Sequence, residues 1–306
     1  MMKLTGLIRI PAVYLIAAMV IWGSSFATMK LAVAVYDPLL ITFARLLIAS
    51  AVFIALRGRF GAIRYRPGDW RWLALMALCE PVLYFVLEAN ALRFTSSAAA
   101  ATIIAMLPLT VALAAQWLLR ETVSGRVYVG VMISVAGVVL LTSIGEETAL
   151  SPQPWLGNGL QLLAMLCAVG YTLIVKRLSA HYPALFLTAM QAFIGVALYL
   201  PLLPFAEFSL TVSWPALLAV LYLGGVVSVL AYLCYNQALS QAPASQVAVY
   251  SSLIPVFAAA FGGWLLDEAF SLMQGLAIGL VLAGVVYSQT GPANLDPQSL
   301  PQPVKS

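Results

Sequence analysis

Charged residues are scarce in this sequence. Asp, Glu, Lys and Arg make up 8% of the 306 residues, whereas an average soluble domain has about 25%. A soluble fold must cover its surface with polar groups, so this scarcity excludes a soluble enzyme, a nucleic-acid-binding protein and a disordered chain. Hydrophobic residues make up 63% of the chain, and the mean hydropathy is +0.99. The composition therefore predicts a polytopic membrane protein surrounded by lipid.

Cysteine and histidine are also rare. The three cysteines, Cys79, Cys167 and Cys234, lie in apolar stretches and share no metal-ligand spacing. The single histidine, His181, lies close to Lys176 and Arg177 in a predicted loop. Membrane enzymes need clustered catalytic groups, which are missing here. We therefore predict a protein that is not an enzyme and has no metal site, no cofactor and no nucleic-acid partner.

The apolar residues form ten stretches, each close to the roughly 20 residues that a helix needs to cross a bilayer. We call them spans 1 to 10, and the first is too long for a signal-peptide core and has no clear cleavage site after it. The stretches are 12–35, 38–56, 72–92, 96–119, 126–144, 156–176, 184–204, 215–239, 243–266 and 272–290. The sequence therefore predicts an all-α protein with ten transmembrane helices.

The basic residues predict how these spans are oriented, because short cytoplasmic loops are enriched in Lys and Arg. With the N-terminus inside, twelve basic residues fall on the inner side and only Arg93 falls outside. The inner ones are Lys3, Arg9, Arg57, Arg59, Arg64, Arg66, Arg71, Arg120, Arg126, Lys176, Arg177 and Lys305. We predict a multi-pass protein of the inner (plasma) membrane with both termini in the cytoplasm.

The sequence contains an internal repeat at an offset of 147 residues. Pro108 and Glu121 match Pro255 and Glu268, and the same offset pairs tryptophans, leucines and glycines. The repeat also pairs Gly23 with Gly170 and Lys30 with Arg177. We predict a cytoplasmic N-terminus (1–11), a first repeat (12–144), an external linker (145–155), a second repeat (156–290) and a flexible cytoplasmic tail (291–306).

Each repeat has five spans, so the second must enter the membrane in the opposite direction. Inverted repeats of this kind are typical of secondary transporters, whose substrate site lies near the membrane midplane between the halves. The alternatives are a duplication that only builds a stable bundle, a channel, and a scaffold. A channel is usually an oligomer with rings of pore-lining residues, whereas an inverted duplication builds a pathway within one chain.

Several short motifs resemble the drug/metabolite transporter superfamily, in its EamA-type ten-helix branch. The motifs are Trp22-Gly23-Ser24-Ser25-Phe26, Phe43-Ala44-Arg45, Glu88 with Ala91-Leu92 and Thr95-Ser96, and the two Pro-to-Glu segments. They are individually loose and together cover residues 12–290. The resemblance implies two EamA repeats, a substrate path along the axis between them and export of small metabolites. Amino acids, sugars and drugs are the substrate classes it implies.

Charged residues inside a span are costly and mark functional sites. Four lie well inside the predicted spans, all in the first half: Lys30, Arg45, Glu80 and Glu88. Lys30, Arg45 and Glu88 lie at similar depths, about 6–11 Å below the outer surface at 1.5 Å per residue. We therefore predict a contact between Arg45 and Glu88 with Lys30 nearby. It either binds substrate or serves as a structural ion pair between spans 2 and 3.

Glu80 lies nearer the midplane, and no basic residue is predicted at its depth. Together with Tyr84 and Glu88 it forms one stripe on span 3, and Pro81 removes a backbone hydrogen bond beside it. A lone carboxylate in lipid surroundings is expected to be protonated at neutral pH. Glu80 is thus a candidate for proton coupling or for binding a substrate ammonium group; the alternative is a bond to a neighbouring carbonyl.

Pro108 and Pro255 fall in the middle of spans 4 and 9 and predict matching kinks, which in transporters point to the site. Packing kinks inherited by duplication are the alternative. Further candidates for the path are Trp22, Tyr171, Gln191, Tyr232, Tyr250 and Ser251. Together these residues predict a cavity for an amphipathic or aromatic molecule.

The sequence thus predicts a secondary transporter that exports small amphipathic metabolites by alternating access. Amino acids or related zwitterions suit a site with both Arg45 and acidic residues, and organic cations or drugs are the alternative because the midplane charge is a lone acid. Proton antiport and facilitated diffusion both fit. The expected partners are the substrate, protons and membrane lipid, and a monomer and a homodimer are both compatible with the sequence.

Overall fold

In the computed structural model, residues 10–60, 63–119, 124–145, 148–149, 151–208, 211–269 and 271–289 are described. Residues 1–9 of the predicted N-terminal tail, the predicted C-terminal tail, Glu121 and part of the predicted linker lie outside the described residues. Within these ranges the regular structure is helical, apart from one isolated bridge between Thr148 and Ser151. The predicted all-α membrane fold is confirmed.

Among the described residues, nine helical segments are long and apolar enough to cross a membrane. They are Ala12–Val33, Pro38–Ala55, Trp70–Phe94, Ser97–Ala114, Gly125–Ser143, Pro154–Leu178, Ala184–Phe205, Trp214–Gln241 and Ala244–Leu266. A tenth helix, Leu272–Gln289, is also apolar, and its apolar part, Leu272–Ser288, is slightly shorter. These segments correspond in order to spans 1 to 10, and the boundaries differ from the predicted ones by a few residues.

Helix starts follow familiar capping chemistry. The Asp37 side chain accepts a hydrogen bond from Leu39 N at 2.8 Å, and Pro38 occupies the first turn of span 2. The Ser96 hydroxyl accepts one from Ala99 N at 3.2 Å at the start of span 4. Such caps satisfy amide groups that have no partner within the helix, and proline fits there because its missing N–H is not needed.

Spans 3 and 8 are irregular at matching places. Span 3 contains a π-helical segment, Leu78–Leu83, and span 8 contains one over Leu223–Ala231. Adding 147 to the first segment gives 225–230, which falls within the second. π-Helical segments within α-helices often mark functional sites, so the middle of spans 3 and 8 is a candidate region for the site.

Spans 4 and 9 are also interrupted at matching places. Span 4 consists of helices Ser97–Ile104 and Leu107–Leu119, and span 9 ends in helix Ile254–Leu266 after a 3-10 turn, Tyr250–Leu253. Pro108 and Pro255 each occupy the second position of the new helix. The kinks expected in the middle of continuous helices are therefore breaks, each followed by a helix that tolerates proline in its first turn.

Spans 5 and 10 pack along each other about the axis that relates the two halves. A Cβ atom built on Gly130 would lie 2.5 Å from Gly284 O, and one built on Gly284 would lie 2.5 Å from Gly130 O. Ser134 Oγ donates to Val281 O at 3.0 Å, and these two residues are 147 apart. Small residues permit this close approach of helices within a membrane.

The remaining contacts follow the same two-fold arrangement. Span 1 packs on spans 8 and 9, and span 6, its equivalent, packs on spans 3 and 4. The sequence pairing of Gly23 with Gly170 is wrong, since Gly23 lies against Phe257 and Ala258 of span 9, whereas Gly170 faces Cys79 of span 3. Spans 1 and 6 are related by an offset of 146, one residue less than the offset elsewhere.

Candidate functional site

A cavity lies between the two halves, near the π-helical segments of spans 3 and 8 and the breaks in spans 4 and 9. Space for the centres of water molecules amounts to about 40 Å³, within about 530 Å³ of atom-free volume that includes openings to solvent. The smaller figure is the one that limits occupancy, and it admits a few waters. The lining residues are Trp22, Ser25, Phe26, Arg45, Glu80, Tyr84, Phe85, Glu88, Ile104, Leu107, Ala168, Tyr171, Thr172, Val227, Tyr232, Tyr235, Ser251 and Ile254.

Equivalent positions of the two halves line this cavity. With offsets of 146 for spans 1 and 6 and 147 elsewhere, eight pairs account for sixteen of the eighteen lining residues. The pairs are Trp22 with Ala168, Ser25 with Tyr171, Phe26 with Thr172, Glu80 with Val227, Phe85 with Tyr232, Glu88 with Tyr235, Ile104 with Ser251, and Leu107 with Ile254. The cavity therefore straddles the two-fold axis, as an inverted-repeat transporter site does.

Tyr232 is the centre of the aromatic cluster in the cavity. Its ring centroid lies 5.2 Å from that of Trp22, 6.0 Å from that of Tyr171 and 6.1 Å from that of Phe85, all edge to face. Trp22 also approaches Tyr235 at 4.9 Å. Edge-to-face aromatic pairs are favourable, so rings of both halves pack together into one aromatic wall of the cavity.

Glu80 interrupts span 3 at the cavity. Its backbone is extended (φ −151°, ψ 115°), and the peptide bond to Pro81 is cis. The Glu80 side chain is buried, and Oε1 accepts a hydrogen bond from the Tyr232 hydroxyl. The partner of Glu80 is therefore a side chain of the other half rather than a neighbouring carbonyl, which was the structural alternative.

Arg45 is 2% exposed and makes two directional contacts. Nε donates to Ser228 Oγ at 3.0 Å, and the guanidinium carbon lies 3.8 Å from the centre of the Phe85 ring. A guanidinium over an aromatic face is a favourable cation–π arrangement. Since the bond to Ser228 uses Nε, the two Nη amino groups are available for a ligand in the cavity.

The predicted cluster of Lys30, Arg45 and Glu88 is not formed. Arg45 and Glu88 line the same cavity and interact electrostatically, but Glu88 Oε1 accepts from the Tyr84 hydroxyl at 2.7 Å and Arg45 bonds to Ser228. Lys30 does not line the cavity: Nζ donates to the Leu92 carbonyl at 3.1 Å and to the Thr95 carbonyl. Equal depth brings side chains together only when their helix faces also meet.

A family model described as the EamA-like transporter family matches residues 9–143 and again 155–289. This chain belongs to the EamA-like transporter family. The match in two blocks follows the repeat seen in the structure. The fold, the family and the position of the cavity together identify a membrane transporter rather than an enzyme.

Named relatives support this membership. A protein of Archaeoglobus fulgidus named an uncharacterized transporter is 29% identical over 271 residues, covering 87% of this chain and 93% of the relative. The uncharacterized transporter YetK of Bacillus subtilis is 27% identical over 281 residues, covering 89% and 84%. The S-adenosylmethionine/S-adenosylhomocysteine transporter of Chlamydia muridarum is 27% identical over 284 residues, covering 86% of each chain.

A solved crystal structure has the same fold. It superimposes with a TM-score of 0.69 at 20% sequence identity, covering 91% of this chain and 96% of the other. At this identity the likeness concerns the fold alone. The arrangement of spans described for this EamA-like transporter therefore occurs in a protein with a very different sequence.

The structure places most of the sequence candidates together in this EamA-like transporter. Eight of them line the cavity: Trp22, Arg45, Glu80, Tyr84, Glu88, Tyr171, Tyr232 and Ser251. Gln191 lies behind the lining, where Oε1 is 2.8 Å from the Tyr171 hydroxyl. Tyr250 packs partly buried against the core, and Lys30 lies elsewhere. Pro108 and Pro255 each follow a residue that lines the cavity.

Several lining residues were not predicted from the sequence. Phe85 and Tyr235 complete the aromatic cluster, and Ser25, Phe26 and Thr172 extend the lining from spans 1 and 6. The repeat could have identified two of them, because Phe85 and Tyr235 are the 147-residue counterparts of the candidates Tyr232 and Glu88. Ser25 and Phe26 belong to the motif that carried the family resemblance.

One polar atom of the cluster has no partner among the described residues. Trp22 Nε1 is buried without a hydrogen-bond acceptor, although an indole N–H in such surroundings normally has one. Trp22 lines the cavity, so a substrate oxygen is a suitable acceptor. Within the part of the chain that the structure describes, no three His, Cys, Asp or Glu side chains cluster as metal ligands would.

Proposed function

We propose that this EamA-like transporter exports small amphipathic metabolites, most readily amino acids or related zwitterions, by alternating access across the inner membrane. The observation that carries this proposal is the cavity on the two-fold axis, which Arg45, two carboxyl groups and several aromatic rings line together. An arginine fork suits a substrate carboxylate, and Glu88 suits an ammonium group. The aromatic wall suits the apolar part of the substrate.

The size of the cavity supports movement during the cycle. A space that admits a few waters is too small for a metabolite, because ligand pockets generally have volumes of about 300–1,000 Å³. We therefore expect the lining spans to move apart when substrate enters. The π-helical segments of spans 3 and 8 and the breaks in spans 4 and 9 supply places where helices can bend.

Counterflow in proteoliposomes tests the substrate class. Purified protein in liposomes loaded with one unlabelled compound should take up the labelled form of the same compound if it is a substrate. The panel contains neutral amino acids of increasing hydrophobicity, their amides, S-adenosylmethionine and S-adenosylhomocysteine. The last two carry an amino acid group and appear in the name of a relative.

Matched variants assign the role of Arg45. Arg45→Ala should abolish counterflow of the free amino acids, whereas Arg93→Ala, an exposed arginine on span 3, should retain it. Saturable uptake of amino acids that survives in Arg45→Ala would contradict the carboxylate role. Absence of counterflow for every zwitterion in the panel would contradict the proposal itself.

Organic cations are the second candidate class, favoured by one observation. The two cavity carboxylates lie beside several aromatic rings, and such rings attract organic cations over their faces. Tetraphenylphosphonium is a suitable probe. Counterflow of this cation that depends on Glu88 but not on Arg45 would favour drug export over amino acid export.

We further propose that Glu80 couples export to protons. Its hydrogen bond to Tyr232 crosses from one half to the other, so gain or loss of a proton at Glu80 alters a contact that holds the halves together. Glu80→Gln should uncouple transport from an imposed pH gradient while counterflow continues, and Glu207→Gln, an exposed acid outside the cavity, is the control. Unchanged gradient dependence in Glu80→Gln would contradict this role of Glu80.

A further inference from the structure

Lys30 caps the C-terminal end of span 3. The side chain is 5% exposed, and Nζ donates to the carbonyls of Leu92, at 3.1 Å, and Thr95. Span 3 ends at Phe94, and Thr95 is extended (φ −131°, ψ 168°) with N bonded to Ala91 O at 3.0 Å. The final carbonyls of a helix have no partner within it, and the lysine supplies one.

Lys176 makes the same contacts at the end of span 8. Nζ donates to Leu239 O at 2.9 Å and to Ala242 O at 2.8 Å. Ala242 is extended (φ −139°, ψ 159°), and its N bonds to Ala238 O at 3.0 Å. Since Ala238, Leu239 and Ala242 are 147 residues after Ala91, Leu92 and Thr95, the two helix ends are equivalent in detail.

The lysines themselves are 146 residues apart, which is the offset that relates spans 1 and 6 in the cavity lining. Lys30 is therefore equivalent to Lys176, and the sequence pairing of Lys30 with Arg177 is wrong. Arg177 instead lies over the ring of Trp72, with its guanidinium carbon 4.0 Å from the ring centre. Because the repeat is inverted, the two lysine contacts lie on opposite sides of the membrane.

We propose that Lys30 and Lys176 are equivalent positioning residues, each of which fastens the end of one span to the end of the span two further along the chain. Lys30 fixes the outer end of span 3 to span 1, and Lys176 fixes the inner end of span 8 to span 6. Both contacts join spans of the same half, and both are present in one structure. Each pair of spans therefore moves as one body when the halves rearrange.

The chemistry favours such a fastening within a membrane. The negative end of the helix dipole and the unpaired carbonyls both attract a cation at a helix C-terminus. Lys30 is buried where the apolar interior offers no water, so its ammonium group cannot leave the carbonyls without losing hydrogen bonds. Lys176 is half-buried, so its contact is the more accessible of the two. The outer contact also has neighbours in the second half, because Thr95 Oγ1 donates to Asn158 Oδ1 at 2.7 Å and Lys30 interacts with Glu268.

Distance measurements between spin labels test this proposal without knowledge of the substrate. The full-length protein, with Cys79, Cys167 and Cys234 replaced by alanine, is labelled in lipid nanodiscs at one of two exposed pairs of positions. The outer pair is Ala34 on the loop after span 1 and Arg93 on span 3; the inner pair is Ala180 after span 6 and Gln241 on span 8. Pulsed electron resonance then gives the distribution of distances for each pair.

We expect each lysine to control only its own end. Lys30→Met should roughly double the width of the outer distribution and leave the inner one unchanged, and Lys176→Met should do the reverse. Lys30→Arg, which keeps the charge and the donors, should retain the narrow outer distribution. This selectivity separates positioning from a general loss of stability, which would broaden both.

Two results would overturn the proposal. One is a narrow distribution at both ends in Lys30→Met and in Lys176→Met, which would show that the contacts position nothing. The other is equal broadening at both ends in either variant. If one variant does not accumulate as folded protein, the lysine at the opposite end gives the same test, since the two contacts are equivalent.

Discussion

The contact between spans 5 and 10 provides a sharp test of the two-fold arrangement, through Gly284→Ala. A Cβ atom at Gly284 would lie 2.4 Å from Ser134 Oγ, 2.5 Å from Gly130 O and 2.9 Å from Ser134 N. Ordinary van der Waals contact begins at 3.4 Å, so the two helices must separate by about 1 Å, since backbone atoms cannot rotate away. A Cβ atom at Gly279, on the same helix, would have no atom within 4 Å, and Gly279→Ala is the matched control.

The magnitude follows from three contributions. Overpacking costs about 1–3 kcal/mol, and separation of the helices removes the hydrogen bond from Ser134 to Val281, worth about 0.5–1.5 kcal/mol. Replacement of a helical glycine by alanine stabilises the helix by about 0.5–1 kcal/mol in both variants, so this contribution cancels in the comparison. The free energy of unfolding of Gly284→Ala should therefore lie about 1.5–4.5 kcal/mol below that of Gly279→Ala.

Reversible unfolding in mixed detergent micelles, titrated with sodium dodecyl sulfate and followed by circular dichroism, measures this difference. Gly279→Ala should be as stable as the unaltered protein or slightly more stable. Equal unfolding free energies for the two variants would refute the close packing of spans 5 and 10, and with it the axis that relates the halves.

Three further predictions concern a cap, the site and the orientation. The Glu268 carboxylate accepts hydrogen bonds from Ser97 N at 3.0 Å and from Ser97 Oγ at 2.6 Å, so Glu268→Ala should lower the free energy of unfolding by about 1–2 kcal/mol. Asp267→Asn, at the exposed neighbouring position, should leave that free energy unchanged. Equal losses in the two variants would argue against the cap. Ser228→Ala should raise the KM for an amino acid about two- to tenfold, because Arg45 loses its hydrogen bond to this side chain. Ser228→Thr, which keeps the hydroxyl, is the control. An unchanged KM in Ser228→Ala would show that Ser228 does not position Arg45 for substrate. A fluorescent protein fused after Ser306 should fluoresce and a phosphatase fused there should be inactive, as expected for a cytoplasmic C-terminus; the reverse pattern would invert the topology.

The spans and the repeat could be predicted from the sequence because both depend on properties that a single chain displays. Helix length in a membrane is set by hydrocarbon thickness, so runs of apolar residues predict the spans to within a few positions. A duplication preserves residues at a constant offset, as Pro108 and Pro255 show. The same prolines also located the breaks in spans 4 and 9, although a kink was expected where a new helix begins.

The contacts between spans were harder to predict, because depth along a helix does not fix the direction in which a side chain points. Lys30, Arg45 and Glu88 were placed together on depth alone, yet Lys30 turns towards the end of span 3. The one-residue change of offset in spans 1 and 6 was hidden because Gly170 happens to lie 147 residues after Gly23. The contacts of Lys30 and Lys176 distinguish the two registers.

The cavity combines a symmetric backbone with asymmetric chemistry. The acidic positions Glu80 and Glu88 correspond to Val227 and Tyr235 in the second half, and Arg45 has no lining counterpart. The charged side chains of the lining therefore belong to the first half, whereas both halves supply aromatic rings. An exchange of conformations between inverted repeats moves the helices but leaves each side chain on its own half. We therefore expect the polar group of a substrate to stay with spans 2 and 3 throughout the cycle, while the aromatic residues of span 8 open and close against it.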